Sequence, residues 1–391
     1  MLKNILVTRE LALMNNTGDI RVLTLIPYKF LPAKLGGQRN IALFFKSFSS
    51  LIQTTCVSVK DNDLTYAPEY EVLNSIGNSK LRYINLFYFF TLKKIIKQKQ
   101  ITHLMVEHPY WGWLGILLKI FCRIKLVIRS QNIEAERFKS IGKWWWRILW
   151  YYERTAHRFA DYNFFIQQDD EHYAITQYKL NPEKCFIITY GFELTEPPTP
   201  EDRLVAKEKI STLHKIPLGE KILLFNGTLN YKPNTDALDN ILIQLNPLFL
   251  ADNSFPYKII ICGSKLSKTY DELKNYADKN IIYAGFVDDI TLYYKGADIL
   301  INPVVDGGGI KTKLVEALGY NMNVVTTTSG AIGVPLSITG EKMKIIADGD
   351  WQNFAASVVN SNTTSIIPPA FFNHFYWRKI AEKAANILQT N

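Results

Sequence analysis

Apolar strand-like runs and amphipathic helical runs alternate along almost the whole chain, and they do so in two blocks separated by a proline-rich break. In the first block RVLTLIP (Arg21–Pro27) is a short apolar run ending in proline, and Gly36-Gly37 opens the helical stretch QRNIALFFKSF. Strands are expected at Thr54–Ser58, Thr102–Glu107, Lys125–Arg129, Tyr162–Ile166 and Cys185–Ile188, with helices between them. ELTEPPTPED (Glu193–Asp202) has no periodicity and reads as a linker. The alternation then restarts, with strands expected at Lys221–Phe225, Tyr257–Cys262, Ile281–Tyr283, Ile299–Asn302 and Asn323–Thr326. Strands alternating with helices make parallel βαβ units, so the expected class is α/β with two Rossmann-like doubly wound domains. Such sheets bind ligands beyond the C-terminal ends of their strands, and two of them are expected to face one cleft. A chain of 391 residues suits two domains of roughly 150–200 residues.

Composition narrows the class. Apolar residues make up 47% and charged residues 21%, a globular balance. The four cysteines, Cys56, Cys122, Cys185 and Cys262, show no metal-ligand spacing, which argues against a disulfide framework or structural zinc. Residues 1–20 carry no clear period and read as an extension, with Met14 an alternative start. No signal-peptide pattern is seen. The most apolar run, Gly115–Ile128, is broken by Lys119, Arg123 and Lys125 and falls short of the ~18–20 residues that span a bilayer. A cytoplasmic protein is expected.

The net charge of +9 is uneven, because residues 1–200 hold 26 basic against 17 acidic side chains and so carry the whole excess. That asymmetry suits an acidic partner, a nucleic acid or an anionic membrane, or else a basic proteome at large. KWWWRILWYYERTAHRF (Lys143–Phe159) has helical periodicity. At 100° per residue Trp145, Ile148, Leu149, Tyr152, Ala156 and Phe159 share the face expected in the core, opposite Lys143, Arg147, Trp150, Arg154 and Arg158. Six of eight tryptophans lie between Trp111 and Trp150. Cations with tryptophan suit an anionic membrane surface, and the alternative is an ordinary solvated face. No nucleic-acid motif accompanies the charge, so no nucleic-acid partner is expected.

The densest chemistry lies in ILINPVVDGGGIKTKLVEALGYNMNVVTTT (Ile299–Thr328). A strand ends at Pro303, and Gly307-Gly308-Gly309 removes side chains where backbone N–H groups can approach an anion. A helix beginning near Ile310 adds its orphan N–H groups and dipole. Lys311 and Lys313 put cations beside that anion, flanking Thr312, and Glu316 sits one turn on, placed to accept from a ribose diol. The alternative is a tight glycine turn with a surface ion pair. There is no GxGxxG, and GSKLSKT (Gly263–Thr269) lacks the second glycine of a phosphate loop.

Asn280–Thr327 resembles the donor-binding half of the family 4 glycosyltransferases of the GT-B fold, with their "G-x-V", "aD", "P", glycine turn and "K-x-x-E-A" in order. FNGTLNYKPNTDAL (Phe225–Leu238) resembles the family's first C-domain strand and loop, "G-x-x-x-x-x-P-N", and ITYGFEL (Ile188–Leu194) its segment before the linker. The resemblance implies a donor site in which backbone at Phe286 and Val287 holds the base and Glu316 the ribose. Gly307, Gly308, Gly309, Ile310, Lys311, Thr312 and Lys313 would hold the diphosphate. The family's sugar-contacting glutamate, eight positions before Glu316, falls on Gly308, which leaves Asp306 to reach the sugar. Its Arg and Lys after the first C-domain strand fall on Thr228 and Pro233, with Lys232 adjacent. In the first half the resemblance rests on three places. They are the Gly36-Gly37 loop, His108 in VEHPYWGW as the histidine near the reacting sugar, and RSQNIEAERF (Arg129–Phe138) as "hN-x-E-x-x-R", with Gln131 at the histidine.

The domains implied are residues 1–192 on the acceptor side, a linker at 193–203, and a nucleotide-sugar domain at 204–370. A C-terminal helix at 371–391 would pack back on the first domain. The implied function is transfer of a sugar from a nucleoside-diphosphate sugar to a glycan or lipid-linked acceptor of a cell-surface polysaccharide, with retention. The protein would be peripheral on the inner face of the membrane. No cofactor and no metal are expected, since Asp288-Asp289 reads as the opening of a helix. An idle sugar-nucleotide-binding subunit and a GT-B epimerase or hydrolase are the alternatives.

Overall fold

The computed structural model describes residues 20–390 except 253, 362 and 363; the stretch read as an extension lies outside it apart from Ile20. The described chain divides into two compact units, residues 20–191 with 377–390, and residues 192–376.

The first unit is built on a seven-stranded parallel sheet of β1 (Arg21–Leu25), β2 (Gln53–Val59), β3 (Glu71–Ile76), β4 (His103–Glu107), β5 (Lys125–Ser130), β6 (Tyr162–Phe165) and β7 (Cys185–Ile187). Their spatial order is β3-β2-β1-β4-β5-β6-β7. Chain order reverses between β1 and β4, the switch point at which open α/β sheets take their ligands. β1, β4 and β5 are almost wholly buried, as apolar strands covered on both faces must be. The edge strand β3 was not expected. Its sequence EVLNSI mixes polar and apolar residues without a clear alternation, because an edge is only partly covered.

Three helices, Phe87–Lys99, Gly112–Cys122 and Trp146–Phe159, share one core with the sheet, through Leu92, Ile96, Leu114, Leu118 and Ala156 against Leu104, Val106, Leu126 and Ile128. The last of them corrects the helical-wheel expectation. Ile148 is 65% and Phe159 53% exposed, whereas Glu153, Ala156 and His157 face inward. Trp150 and Arg154 of the expected basic stripe are partly buried. Trp150 Nε1 donates to Tyr173 Oη at 3.0 Å, and Arg154 Nε donates to the Tyr178 carbonyl at 3.2 Å. Buried polar groups set this rotation. His157 reaches Ser130 Oγ (3.1 Å) and Asn163 Oδ1 (2.8 Å). Glu153 accepts from the backbone N–H groups of Glu134 (3.0 Å) and Ala135 (2.8 Å) and from Tyr178 Oη (3.0 Å). Polar groups find partners when buried, and a wheel that ranks by apolarity misses them.

The second unit has a six-stranded parallel sheet of β8 (Lys221–Asn226), β9 (Tyr257–Cys262), β10 (Ile281–Gly285), β11 (Ile299–Asn302), β12 (Asn323–Thr327) and β13 (Met343–Ile346), ordered β10-β9-β8-β11-β12-β13. Its switch point lies between β8 and β11. The short edge strand β13 was also not expected. Within the stretch read as a linker, the helix Pro200–His214 already begins at residue 200. Thr199 and Asp202 cap it reciprocally, and proline fits a first helical turn. The terminal helix Trp377–Thr390 belongs to the first unit, where Trp377 stacks edge-on against Tyr190 at 5.5 Å and Arg378 donates to Ser50 Oγ at 2.9 Å.

Candidate functional site

In the first unit the switch point gathers Gly37, His108 and Gln131, three residues far apart in sequence. A side chain at Gly37 would meet Gln131 Oε1 at 3.2 Å and Tyr28 Oη at 3.5 Å, so glycine is what lets the helix Gly36–Phe48 start this close. His108 follows β4 directly, with φ 61° and ψ 155°. Such backbone costs of order 1–3 kcal/mol for a non-glycine residue and persists where the surroundings over-determine it. They do here. Tyr28 Oη and His108 Nε2 are 3.0 Å apart, His108 Nδ1 lies 3.2 Å from Glu134 Oε1, and the ring stacks on Tyr110 at 5.4 Å.

Burial by itself would raise the Glu134 carboxyl. The hydrogen bond and charge of His108 and the charge of Arg137 outweigh it and hold the group at about 2. Tyr110 Oη (2.6 Å) and Arg137 Nε (2.9 Å) donate to its other oxygen. An ionised carboxylate only accepts, so the Nδ1 nitrogen that faces Glu134 is the one that carries a proton. Burial, then the charges of Glu107 and Glu134, push the Tyr28 phenol well up, which keeps that O–H intact. Beneath, Arg129 forks onto Glu107 (2.9 and 3.0 Å), both fully buried, and donates to Asn40 Oδ1 at 2.7 Å. Tyr28 and Glu134 were not singled out from sequence. Glu134 and Arg137 do stand in the N-x-E-x-x-R spacing, while nothing local marks Tyr28.

In the second unit the loops after β8 and β11 meet at the other switch point. Gly307 and Gly309 have φ of 99° and 79°, the left-handed region open to glycine. A Cβ at Gly307 would come 2.9 Å from Pro233 Cγ, whereas one at Gly308 would meet nothing within 4 Å. Lys311 Nζ donates to the carbonyls of Gly307 (2.6 Å) and Gly309 (2.9 Å), folding the loop around the ammonium. The helix opens at Thr312, two residues later than Ile310, and runs to Gly319. Ile310 is half-buried and packs close to Gly333. Lys313 Nζ lies 3.2 Å from Asn234 Oδ1 and 4.5 Å above the Phe225 ring. Burial, then the charge of Lys311, bring that ammonium down to about 7. Asn234 in turn donates to the Thr228 carbonyl at 3.1 Å, binding the β8 loop to the lysine. Its signal in sequence was the P-N pair at Pro233-Asn234.

Glu316 is buried in the same helix, one turn from Lys313. Asp306 is exposed and accepts from the Gly307 N–H at 2.6 Å, so its carboxylate shapes the turn. Lys232 is exposed and paired with Asp236. Phe286, 57% exposed, and Val287 follow β10 at the outer edge of the sheet. Asp289 accepts from the N–H groups of Thr291 (2.9 Å) and Leu292 (3.3 Å) and caps the helix Ile290–Gly296. Among the described residues no group of three or more His, Cys, Asp or Glu is placed to hold a metal. No helix among them is long and apolar enough to cross a membrane.

A model of the group 1 glycosyl transferases matches residues 220–361, and one of glycosyltransferase family 4 matches residues 51–196. A chitobiosyldiphosphodolichol beta-mannosyltransferase of Debaryomyces hansenii is 28% identical over 274 residues, 63% of this chain and 57% of that protein. The chain spans about half the length of the curated relatives it matches, 40% of one and 57% of the other. Among solved structures, sucrose-phosphate synthase from Thermosynechococcus elongatus superposes with a TM-score of 0.73 at 12% identity, over 95% of this chain and 98% of that one. HepE of Anabaena in complex with UDP-glucose gives 0.69 at 15%, over 95% and 100%. At such identities the likeness carries the fold.

Proposed function

Since this chain belongs to the family 4-like glycosyltransferases of the GT-B fold, we propose that it transfers a sugar from a nucleoside-diphosphate sugar to a glycan or lipid-linked acceptor of a cell-surface polysaccharide, with retention. The observation that carries the donor reading is the loop Gly307–Lys313. Two left-handed glycines, a helix start and two lysines lie within one short loop beyond the C-terminal end of β11, with Lys311 Nζ held by the Gly307 and Gly309 carbonyls and Lys313 Nζ by Asn234. Positive groups so arranged stabilise a departing diphosphate without reorganising. In this reading Glu316 holds the ribose, backbone at Phe286 and Val287 holds the base, and Asp306 serves the sugar. Thr228 and Lys232 flank the diphosphate. Lys311 and Lys313 supply the charge that a divalent cation supplies elsewhere, so the reaction proceeds without a metal.

In the first unit His108 serves the transferred sugar and Gly37 the phosphate side, with Tyr28 and Glu134 holding the imidazole in one orientation. The complex of HepE with UDP-glucose makes UDP-sugars the first donors to test. A thermal-shift screen of nucleoside diphosphates and their sugars identifies the donor, because a ligand that binds only the folded chain raises its melting temperature. Incubation of that donor with candidate acceptors in EDTA then separates the readings. A glycosidic product supports transfer. Free sugar alone means hydrolysis, an isomerised donor means epimerisation, and binding without any product means an idle subunit. Activity that EDTA abolishes and magnesium restores defeats the metal-free reading.

A further inference from the structure

The three helices that cover one face of the first sheet turn an apolar and basic surface outward. Each belongs to the same core, so their opposite sides form one layer. On that outer side Phe87, Phe90, Ile120, Phe121, Ile148 and Tyr151 are all between 59% and 77% exposed. The helices are joined at this level. Phe121 packs edge-on to Phe89 at 5.6 Å, Phe89 to Phe90 at 5.4 Å, and Lys119 Nζ donates to the Phe159 carbonyl at 2.9 Å. Soluble proteins seldom leave so many large apolar side chains together in water without a partner.

Charge says which partner. Helices Phe87–Lys99 and Gly112–Cys122 contain no acidic residue, and the single one in Trp146–Phe159, Glu153, is fully buried. Lys94, Lys97, Arg147 and Arg158 are exposed among the apolar side chains, with Arg123 just beyond Cys122. The nearby Asp161 is taken by Lys119 at 2.9 Å. A layer with cations and no exposed acid repels a second copy of itself and attracts a negative surface. Aromatic and aliphatic groups interspersed with cations match the boundary of an anionic bilayer, where rings enter the headgroup region and ammonium groups meet lipid phosphates.

We propose that the outer face of these three helices docks on an anionic membrane. This deepens the reading of a lipid-linked acceptor. It also replaces the single stripe expected from the sequence, two of whose members, Trp150 and Arg154, the fold turns inward.

The test is co-sedimentation of the full chain with phosphatidylcholine vesicles, with and without phosphatidylglycerol, at low and high salt. Binding is expected to the anionic vesicles alone, and salt should weaken it. Lys94→Gln with Lys97→Gln, Arg147→Gln and Arg158→Gln should lower the partition on the order of 1000-fold. Phe90→Ser with Phe121→Ser and Ile148→Ser should lower it by ~10-fold or more. The four basic positions are exposed, so the charge variant should keep the wild-type melting temperature; the serine variant gives up the Phe121–Phe89 and Phe89–Phe90 contacts and should melt a few degrees lower while staying folded. Calorimetry with UDP should give wild-type affinity for both. Equal binding to neutral vesicles, no sedimentation with anionic ones, or indifference to both variants would overturn the proposal. A concentration-dependent dimer lost in the serine variant would assign the face to a second copy instead. Vesicle binding is read without sugar transfer, so failure here and failure of the transferase reading are told apart.

Discussion

His108 Nδ1 lies 3.2 Å from Oε1 of Glu134, and both side chains are almost wholly buried. The contact is one of position as much as energy, since it holds the imidazole in a single orientation beside Tyr28. A carboxyl at about 2 in the fold, against an ordinary 4.5, binds its proton more weakly folded than unfolded. Its contribution to stability is therefore present above pH 4.5 and is lost as pH falls through 4.5 toward 2. By linkage it amounts to roughly 3 kcal/mol. Glu134→Gln should lie below wild type by about that amount at neutral pH and converge on it in acid. Urea unfolding across pH 2–6 measures this, and a difference independent of pH would show that the pairing does not set the carboxyl's affinity for protons.

Glu153 behaves in the opposite sense. Burial raises its carboxyl to about 8, partly offset by the backbone N–H groups of Ala135 and Glu134. A folded value above the ordinary 4.5 means that its contribution is complete below pH 4.5 and is lost as pH rises from 4.5 through 8. Glu153→Gln cannot ionise, so it should gain on wild type across that window by as much as ~5 kcal/mol. Urea midpoints of the two proteins that keep a constant separation from pH 4.5 to 8 would count against it.

Lys313 sits near 7, so a bound diphosphate should draw a proton onto it. Affinity for the nucleoside diphosphate that the thermal-shift screen selects should then be full below pH 7 and decline above it, by up to about tenfold per pH unit. Calorimetry in two buffers of different ionisation enthalpy should register proton uptake near pH 7.5, and Lys313→Met should remove it. Uptake that survives the substitution would place the titrating group elsewhere.

Glu316→Ala should weaken the nucleotide roughly ten- to hundredfold, the value of a charged hydrogen bond of about 1.5–3 kcal/mol. Removal of the 2′- and 3′-hydroxyls from the ribose should cost the variant nothing further. Unchanged affinity for the nucleoside diphosphate that the thermal-shift screen selects would rule out the ribose assignment.

The glycines of the loop should differ sharply. Gly308→Ala meets nothing within 4 Å and should melt with wild type. Gly307→Ala carries both a φ of 99° and a 2.9 Å approach to Pro233, and should lose at least about 1 kcal/mol. Thermal melting of both variants decides it, and equal loss would mean the loop does not hold this shape.

Much of the molecule was legible before any tertiary structure. Strand periodicity, the break near residue 193 and the glycine-lysine-glutamate spacing are local signals, because pleat, helical turn and left-handed backbone are each properties of a few consecutive residues. They determined both sheets and the outline of the loop Gly307–Lys313, though not the edge strands β3 and β13, whose exposure blurs the pattern. Only the tertiary structure decided that His108 meets Glu134 and Tyr28, that Lys313 meets Asn234, and that the helix Trp146–Phe159 turns Glu153 and His157 inward and Ile148 outward. The physical reason is common to all three. A buried polar group is placed by its partner, and these partners come from other strands and helices. No count along one helix can see them.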